Sequence, residues 1–232
     1  MDEKLIKTLI EKNVLRFGEF KLKSGRISPY FFNSGNIDSG KALSVIGEAC
    51  ADAIVKNKID FDVIFGPAYK GISLGAAIAK TLYEKYNIEK RFVFDRKEAK
   101  EYGDMKDRMI IGNLKENDKI LIIDDVVTTG LTKFETIEKL KSLGLNLDFV
   151  GLLILFDRQE KMESGKSATE ELQKRGLNIF SLLKARDIFE FLRNKEIDGN
   201  IYINEEIYKK FQKYFVFVVF CYQNRYSFQK IS

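Results

Sequence analysis

The sequence predicts an α/β fold in which helices flank a mostly parallel sheet. Short apolar segments alternate with amphipathic helical stretches along most of the chain, and this alternation builds βαβ units. The apolar segments are nearly continuous, which is typical of strands that are buried on both faces. With 232 residues, of which 45% are hydrophobic, the chain is long enough for one domain and at most one appendage.

The first half of the chain begins with a helix and an irregular region. The spacing of Leu5, Ile6, Leu9 and Ile10 places them on one face of a helix over residues 2–13. The next stretch, 17–40, carries aromatics, Gly and Ser without a helical period, which indicates short strands and loops. Helical spacing then alternates with apolar runs, which predicts a helix, a strand, a helix and a strand in turn: residues 41–57, 61–66, 71–86 and 91–95.

The second half begins with a polar segment, 96–114, that has no apolar period. The strongest strand prediction follows at 119–125, where the sequence reads KILIIDD. A helix is predicted over 131–144, ending at a Gly in the C-cap position. The remaining predicted elements are a long apolar strand and a helix–strand–helix unit: residues 147–156, 166–175, 177–183 and 186–195.

The composition excludes several classes of site. The chain has no His, so a Ser-His-Asp triad, a Cys-His dyad and an HExxH zinc site are excluded. Cys50 and Cys221 fit neither a disulfide framework nor a zinc pattern, and they favour a reducing setting. The net charge of +5 favours small anionic substrates, and no groove-reading motif supports a nucleic-acid partner. Since the chain shows neither a signal peptide nor a membrane span, we expect a cytoplasmic location and no membrane partner.

The strongest functional signal is the segment ILIIDDVVTTGLT, residues 120–132. Four β-formers deliver Asp124 and Asp125 to the carboxyl end of a strand, where ligands bind in open α/β sheets. The turn that follows is rich in hydroxyls and opens a helix, so its N–H groups and Thr side chains form a cradle for an anion. Carboxylates suit the hydroxyls of a sugar attached to that anion. The acid pair alone is equally consistent with a plain strand end, but the whole segment predicts a site for a phosphorylated sugar.

The same segment resembles the phosphoribosyl-pyrophosphate signature of type I phosphoribosyltransferases, and no GxGxxG or GxxxxGK[ST] motif competes with it. Three further strings, in order and spacing, resemble the orotate phosphoribosyltransferases: KSGRISPYFFN at 23–33, GPAYKG at 66–71 and RKEAK at 96–100. The resemblance spans roughly residues 2–214. It implies a parallel sheet flanked by helices, a small N-terminal hood mainly from residues 1–40, and transfer of ribose 5-phosphate to orotate. Residues 215–232 form a C-terminal tail without an assignment.

The resemblance also assigns site residues. Four residues, Lys70, Arg96, Lys97 and Lys100, supply cations that stabilise the departing pyrophosphate without proton chemistry. The implied catalytic set is Lys70, Arg96, Lys100, Asp124 and Asp125. Arg158, at the end of a predicted strand, offers a forked contact to the edge of the base. The implied substrate-binding set is Lys23, Phe31, Phe32, Tyr69, Lys70, Arg96, Lys97, Lys100, Tyr102, Asp124, Asp125, Val126, Val127, Thr128, Thr129, Gly130, Leu131, Thr132 and Arg158.

Simpler interpretations stand beside these assignments. RKEAK on its own is typical of a solvated charged stretch, and the pair Phe31-Phe32 is also consistent with core packing. The apolar run at 215–220 fits an edge strand, a packed tail or an aggregation-prone segment. Tyr102 stands where many family members have a His, and a tyrosine hydroxyl can contact pyrophosphate but stays neutral near pH 7.

The resemblance implies Mg²⁺, bound mainly through the pyrophosphate with no direct protein ligand, and a homodimer with shared sites. The loop at about 96–112 is then expected to close over the neighbouring subunit's site. Two other functions stay open: a phosphoribosyltransferase for another base, and a non-catalytic sensor of phosphoribosyl pyrophosphate. Because the chain lacks His, we expect no imidazole transition near pH 6.5, and Lys100 is the lysine for which a lowered pKa is expected.

Overall fold

A computed structural model describes residues 1–22, 25–98, 101–102, 108–127, 131–161 and 165–215, with the backbone alone for 131 and 132. The helices are α1 (Glu3–Glu11), α2 (Gly40–Lys56), α3 (Lys70–Tyr86), α4 (Leu131–Lys141), α5 (Ala168–Lys174), α6 (Ala185–Leu192) and α7 (205–215). The strands are β1 (Leu15–Lys21), β2 (Ile27–Phe32), β3 (Val63–Phe65), β4 (Arg91–Asp95), β5 (Ile110–Ile111), β6 (Lys119–Val126), β7 (Asp148–Asp157), β8 (Ile179–Lys184), β9 (Glu196–Ile197) and β10 (Asn200–Ile201).

A six-stranded sheet forms the centre of the protein, in the order β5-β4-β3-β6-β7-β8. Five of its strands are parallel, and β5 pairs antiparallel with β4 at one edge. The prediction of a mostly parallel sheet flanked by helices is therefore confirmed. The short strand β5 lies within the polar segment 96–114, where the sequence analysis predicted no strand.

The sheet is buried on both faces because its strands are apolar at successive positions. Along β6, Leu121 and Ile123 pack into a core shared with α2 and α3. Ile120 and Ile122 point to the opposite face and pack with α4 and α5. Side chains alternate between the faces of a strand, so an unbroken apolar run fills both cores.

The N-terminal region forms an antiparallel hairpin of β1 and β2, as the short strands predicted over 17–40 suggested. The hairpin lies against the carboxyl-terminal part of β7, where Tyr30 and Phe32 both pack on the ring of Phe156. The ring centroids of Phe32 and Phe156 are 4.8 Å apart and the rings are nearly parallel. These aromatic contacts attach the hairpin to the sheet at the end where the predicted site residues lie.

The C-terminal part adds elements that the sequence analysis did not predict, namely the β9–β10 hairpin and α7. Phe211 on α7 stacks on Phe189 of α6 at 3.7 Å between ring centroids. Phe215, the first residue of the predicted tail, lies in α7 and is buried. The rest of the tail, 216–232, lies outside the described residues. In the described part of the chain, no helix is long and apolar enough to cross a membrane.

Candidate active site at the switch point of the sheet

Three of the predicted site residues, Lys70, Asp124 and Asp125, lie where the order of strands reverses. From β3 the chain adds β4 and β5 on one side of the sheet, and then returns to place β6, β7 and β8 on the other side. The strands β3 and β6 are parallel neighbours, with Phe65 beside Ile122. The segments that follow them therefore open together at the topological switch point, which is where open α/β sheets bind ligands.

Asp125 joins three parts of the protein at this point. Its carboxylate is buried, and its Oδ2 atom accepts a hydrogen bond from the Ser34 hydroxyl, in the short 3₁₀ turn after β2. The same oxygen accepts from Lys70 Nζ at 3.0 Å, and Lys70 is the first residue of α3. The Lys70 side chain is 55% exposed, so its ammonium also faces the solvent above the sheet. Lys70 thus offers a positive charge to an anion while it holds Asp125.

Asp124, the other acid of the pair, is held from within the chain. Its Oδ1 atom accepts the backbone N–H of Asp125 at 2.7 Å. Its Oδ2 atom accepts a hydrogen bond from Lys133 Nζ, in the first turn of α4. Burial, and to a lesser degree the charge of Lys97, lowers the pKa of the Lys133 ammonium to about 8. Each carboxylate of the acid pair is therefore matched with its own lysine.

The loop between β3 and α3 follows a tight path that requires glycine. A β-carbon on Gly66 would lie 2.1 Å from the carbonyl oxygen of Gly71, so the two backbones could not approach as they do. The loop is also tied to the next strand, because the N–H of Ala68 donates to Asp95 Oδ1 at 2.7 Å. Lys139 of α4 completes this connection by donating to Asp95 Oδ2 at 2.8 Å. The loop that carries Tyr69 and leads into Lys70 is thus held in place by Asp95.

Arg158 directly follows β7, and its guanidinium donates hydrogen bonds to the carboxylate of Glu160. Its Nε and Nη2 atoms donate to Glu160 Oε1 at 2.9 and 2.6 Å. The Tyr30 hydroxyl donates to the same oxygen at 3.0 Å, and Arg26 Nη2 lies 3.3 Å from Oε2. Burial opposes the charged form of Arg158, but its contacts with Tyr30 and with the Glu160 carboxylate raise the pKa of the guanidinium. Glu160 therefore connects the hairpin to the predicted base-binding arginine.

The two predicted aromatics have different surroundings. Phe32 is buried against Phe156, which agrees with core packing. Phe31 is partly exposed, stacks on Phe20 at 5.6 Å, and lies under the guanidinium of Arg16 at 5.2 Å. Core packing thus describes Phe32, whereas the contact of Phe31 with the base stays a prediction.

The basic segment after β4 is described in part. Arg96 is half-buried, and its carbonyl accepts from Lys139 Nζ at 2.9 Å. Lys97 Nζ lies 6.0 Å from the centroid of the Tyr69 ring, which brings this segment to the β3–α3 loop. Tyr102 is 83% exposed.

The end of the signature is also described in part. Val126 ends β6 beside Phe156, Val127 is buried, and α4 begins at Leu131, followed by Thr132. The predicted residues outside the described part of the chain are Lys23, Lys100, Thr128, Thr129 and Gly130.

Sequence reasoning missed five polar residues that support this site: Ser34, Asp95, Lys133, Lys139 and Glu160. Some signal was present in the sequence. Asp95 directly precedes RKEAK, Glu160 follows Arg158 by two residues, and Lys133 stands just after the signature. Their partners, however, come from other elements, and periodicity carries no information about such contacts.

The arrangement can bind a polyanion that carries a sugar. Lys70 and Lys97 provide cations above the sheet, while the acid pair lies deeper, at the strand end. Among the described residues, no group of three or more acidic, Cys or His side chains is arranged to hold a metal ion. The charges instead suit a ligand whose phosphates face the lysines and whose hydroxyls face the acids.

Comparison with known proteins agrees with this geometry. A model of the phosphoribosyl transferase domain matches residues 33–178. An orotate phosphoribosyltransferase of Clostridium botulinum is 40% identical over 216 residues, which are 92% of this chain and 95% of the relative. One from Schizosaccharomyces pombe is 44% identical over 193 residues, covering 82% and 88% of the two chains. The crystal structure of the Francisella tularensis orotate phosphoribosyltransferase is similar with a TM-score of 0.76 and 37% identity, over 90% of this chain and 96% of that one.

Proposed function

Because the chain belongs to the orotate phosphoribosyltransferase family, we propose that its switch-point site binds phosphoribosyl pyrophosphate and orotate and joins them. The reaction is a pentosyl transfer of pyrimidine biosynthesis. The bond from ribose C1 to the pyrophosphate oxygen breaks, and a bond from C1 to the orotate nitrogen forms as that nitrogen loses its proton. The products are orotidine 5′-phosphate and pyrophosphate.

The observation that carries this proposal is the placement of the acid pair at the β3–β6 switch point, beside Lys70. Asp124 and Asp125 are proposed to face the ribose hydroxyls, because carboxylate oxygens accept strong hydrogen bonds from hydroxyl groups. The backbone and side chains of residues 126–132 are proposed to cradle the 5-phosphate at the start of α4, where N–H groups point outward.

The pyrophosphate is proposed to lie over the β3–α3 loop, where the cations converge. The proposed pyrophosphate contacts are Tyr69, Lys70, Arg96, Lys97, Lys100 and Tyr102. These side chains would stabilise the negative charge that develops as the leaving group departs. The exposed ammonium of Lys70 and the position of Lys97 over Tyr69 support this assignment.

Orotate is proposed to lie between the hairpin and the end of β7. The proposed contacts with the base are Lys23, Phe31, Phe32, Thr128 and Arg158. Two nitrogens of the Arg158 guanidinium, Nε and Nη2, already donate to the Glu160 carboxylate. The base would therefore be bound by the N–H groups of Arg158 that do not contact Glu160. The partly exposed ring of Phe31 supports a planar ligand on this side.

Mg²⁺ is proposed to enter with the pyrophosphate, bound through phosphate oxygens and water. The donor set of the described site fits this mode, because both carboxylates of the acid pair already contact lysines. When bound, the ion supplies positive charge to the leaving pyrophosphate. We also propose a homodimer with shared sites and a cytoplasmic location, on the basis of the family resemblance.

The test is the loss of orotate absorbance when the protein is mixed with phosphoribosyl pyrophosphate and Mg²⁺, with pyrophosphate release measured in parallel. Uracil, adenine and hypoxanthine serve as controls. We expect turnover with orotate and little with the other bases. Preferred use of another base, or binding of phosphoribosyl pyrophosphate without any transfer, would overturn the proposal.

A further inference from the structure

We propose that Lys133 is a positioning residue that holds Asp124 and neutralises its charge, so that the site accepts a polyanionic sugar phosphate. This inference rests on the proposed function, because it assumes that phosphoribosyl pyrophosphate is the ligand at the acid pair. Lys133 lies outside every motif that the sequence analysis singled out.

The geometry restricts Lys133 to this role. Its ammonium donates to Asp124 Oδ2, and the side chains of Lys133 and Asp124 are 9% and 12% exposed. The other oxygen of Asp124 accepts the N–H of Asp125, so the orientation of the carboxylate is determined from two sides. Lys133 thus fixes the acid and contributes little surface of its own to a ligand.

Lys70 provides the comparison within the same site. It pairs with Asp125 in the same way, but its side chain is 55% exposed and can reach a phosphate. The exposed lysine can contact substrate, whereas the buried one acts through its acid. Without Lys133, Asp124 would present an unpaired buried negative charge to a ligand that is itself highly negative, and such charges repel strongly in a partly buried site.

The charge state of Lys133 makes the inference testable by pH. Among the residues that the structure describes, the charged groups that face it are Asp124 on β6 and Lys97 in the segment after β4. Further along α4, Lys139 is paired with Asp95 of β4. Burial and Lys97 lower the pKa of Lys133 to about 8, so the lysine is charged below that pH and becomes neutral above it. The affinity for phosphoribosyl pyrophosphate is therefore expected to fall as the pH rises through this value.

The experiment compares Lys133→Met and Lys133→Arg with the parent protein. Binding of phosphoribosyl pyrophosphate with Mg²⁺ is measured by calorimetry from pH 6.5 to 9.5, and KM and kcat are measured for both substrates. Lys141→Met is the matched control, because Lys141 is on the same helix in an exposed pair with Glu138.

We expect Lys133→Met to weaken binding of phosphoribosyl pyrophosphate about tenfold or more at pH 7, with a smaller change in the KM for orotate. The affinity of Lys133→Met should not fall further as the pH rises through 8. Lys133→Arg should recover most of the affinity and keep it to pH 9.5, since a guanidinium stays charged. Lys141→Met should behave as the parent.

Parent-like binding by Lys133→Met, or a decline near pH 8 that persists in Lys133→Arg, would overturn the role of Lys133. If Lys133→Met fails to fold, the pH profile of Lys133→Arg still tests the proposal, because the affinity of this variant should not decline near pH 8. A parent protein that binds phosphoribosyl pyrophosphate but does not use orotate would overturn the proposed function and leave this inference standing.

Discussion

Replacing Glu160 by Gln should destabilise the protein more than any comparable change in a surface ion pair. Glu160 accepts hydrogen bonds from Arg158 and Tyr30 and pairs with Arg26, and its side chain is 13% exposed. The substituted amide would keep the shape and one acceptor oxygen but lose the negative charge. Arg158, 15% exposed, would then remain as a cation without its counter-ion.

The expected loss follows from these contacts. Breaking a buried ion pair by removing one partner costs about 3–5 kcal/mol. Because the amide still accepts one hydrogen bond and Arg158 retains some solvent contact, we expect about 2–3 kcal/mol for Glu160→Gln. In a chain of this length, that loss corresponds to a fall in Tm of roughly 5–10 °C.

The assay is urea unfolding followed by circular dichroism, together with thermal melting. The matched control is Glu205→Gln, because Glu205 accepts from Arg193 Nε and Nη2 at 2.8 and 3.1 Å, with side chains 46% and 41% exposed. The same chemistry in water should contribute little. A double-mutant cycle that combines Glu160→Gln with Arg158→Met then gives the free energy of interaction between the two side chains. If Glu160→Gln loses no more stability than Glu205→Gln, or the cycle shows no coupling, the assignment of Glu160 as a buried connection is wrong.

Three further predictions concern the site and the assembly. Asp124→Asn and Asp125→Asn should each reduce kcat/KM for phosphoribosyl pyrophosphate at least tenfold without unfolding the protein, since each loses charge-assisted contacts; unchanged kinetics in both variants would contradict the assignment of the signature. Mixing Lys100→Ala chains with Asp125→Asn chains should restore part of the activity if sites are shared between subunits, and a fully active monomer by light scattering would refute sharing. The parent should show no imidazole transition near pH 6.5 in kcat/KM at saturating Mg²⁺, because it has no His, and any bend there should follow the ionisation of the pyrophosphate itself or a desolvated lysine. Tyr102→His should acquire an imidazole transition if residue 102 contacts pyrophosphate, and a protein-borne transition already present in the parent and unaltered by changing Lys100 would contradict this account.

Much of the fold was predictable because it is encoded locally. The strand predicted at 91–95 coincides with β4, and the strand predicted at 119–125 differs from β6 by one residue. Such segments have strong β-formers bounded by polar residues, so few neighbours are needed to specify them. The helix predicted over 131–144 ends earlier, at Lys141, and Gly144 follows in a left-handed conformation with φ of +75°. The last residue of a helix depends on the geometry of the turn that follows it. The apolar period of the sequence therefore predicts that a helix exists better than it predicts where the helix ends.

The elements that the sequence analysis missed depend on tertiary contacts. The strands β5, β9 and β10 have two residues each, too few to show any period. Helix α7 is stabilised by packing, since Phe211 stacks on Phe189 of another helix. Elements this short form because another segment pairs with them or packs on them, as β4 does with β5 and as β9 and β10 do with each other.

The sequence by itself determined that Asp124 and Asp125 lie at the carboxyl end of a buried strand, and it predicted that an anion site of the phosphoribosyltransferase type follows them. A run of apolar β-formers encodes its own strand, so the motif places the acids at the strand end without help from distant residues. The tertiary structure alone decided which charges the acids face. It paired Asp125 with Ser34 and Lys70, paired Asp124 with Lys133, and placed Lys133 where burial lowers its pKa. The reason is that desolvation and Coulomb interactions depend on distances through space, which the sheet order sets and the sequence spacing does not.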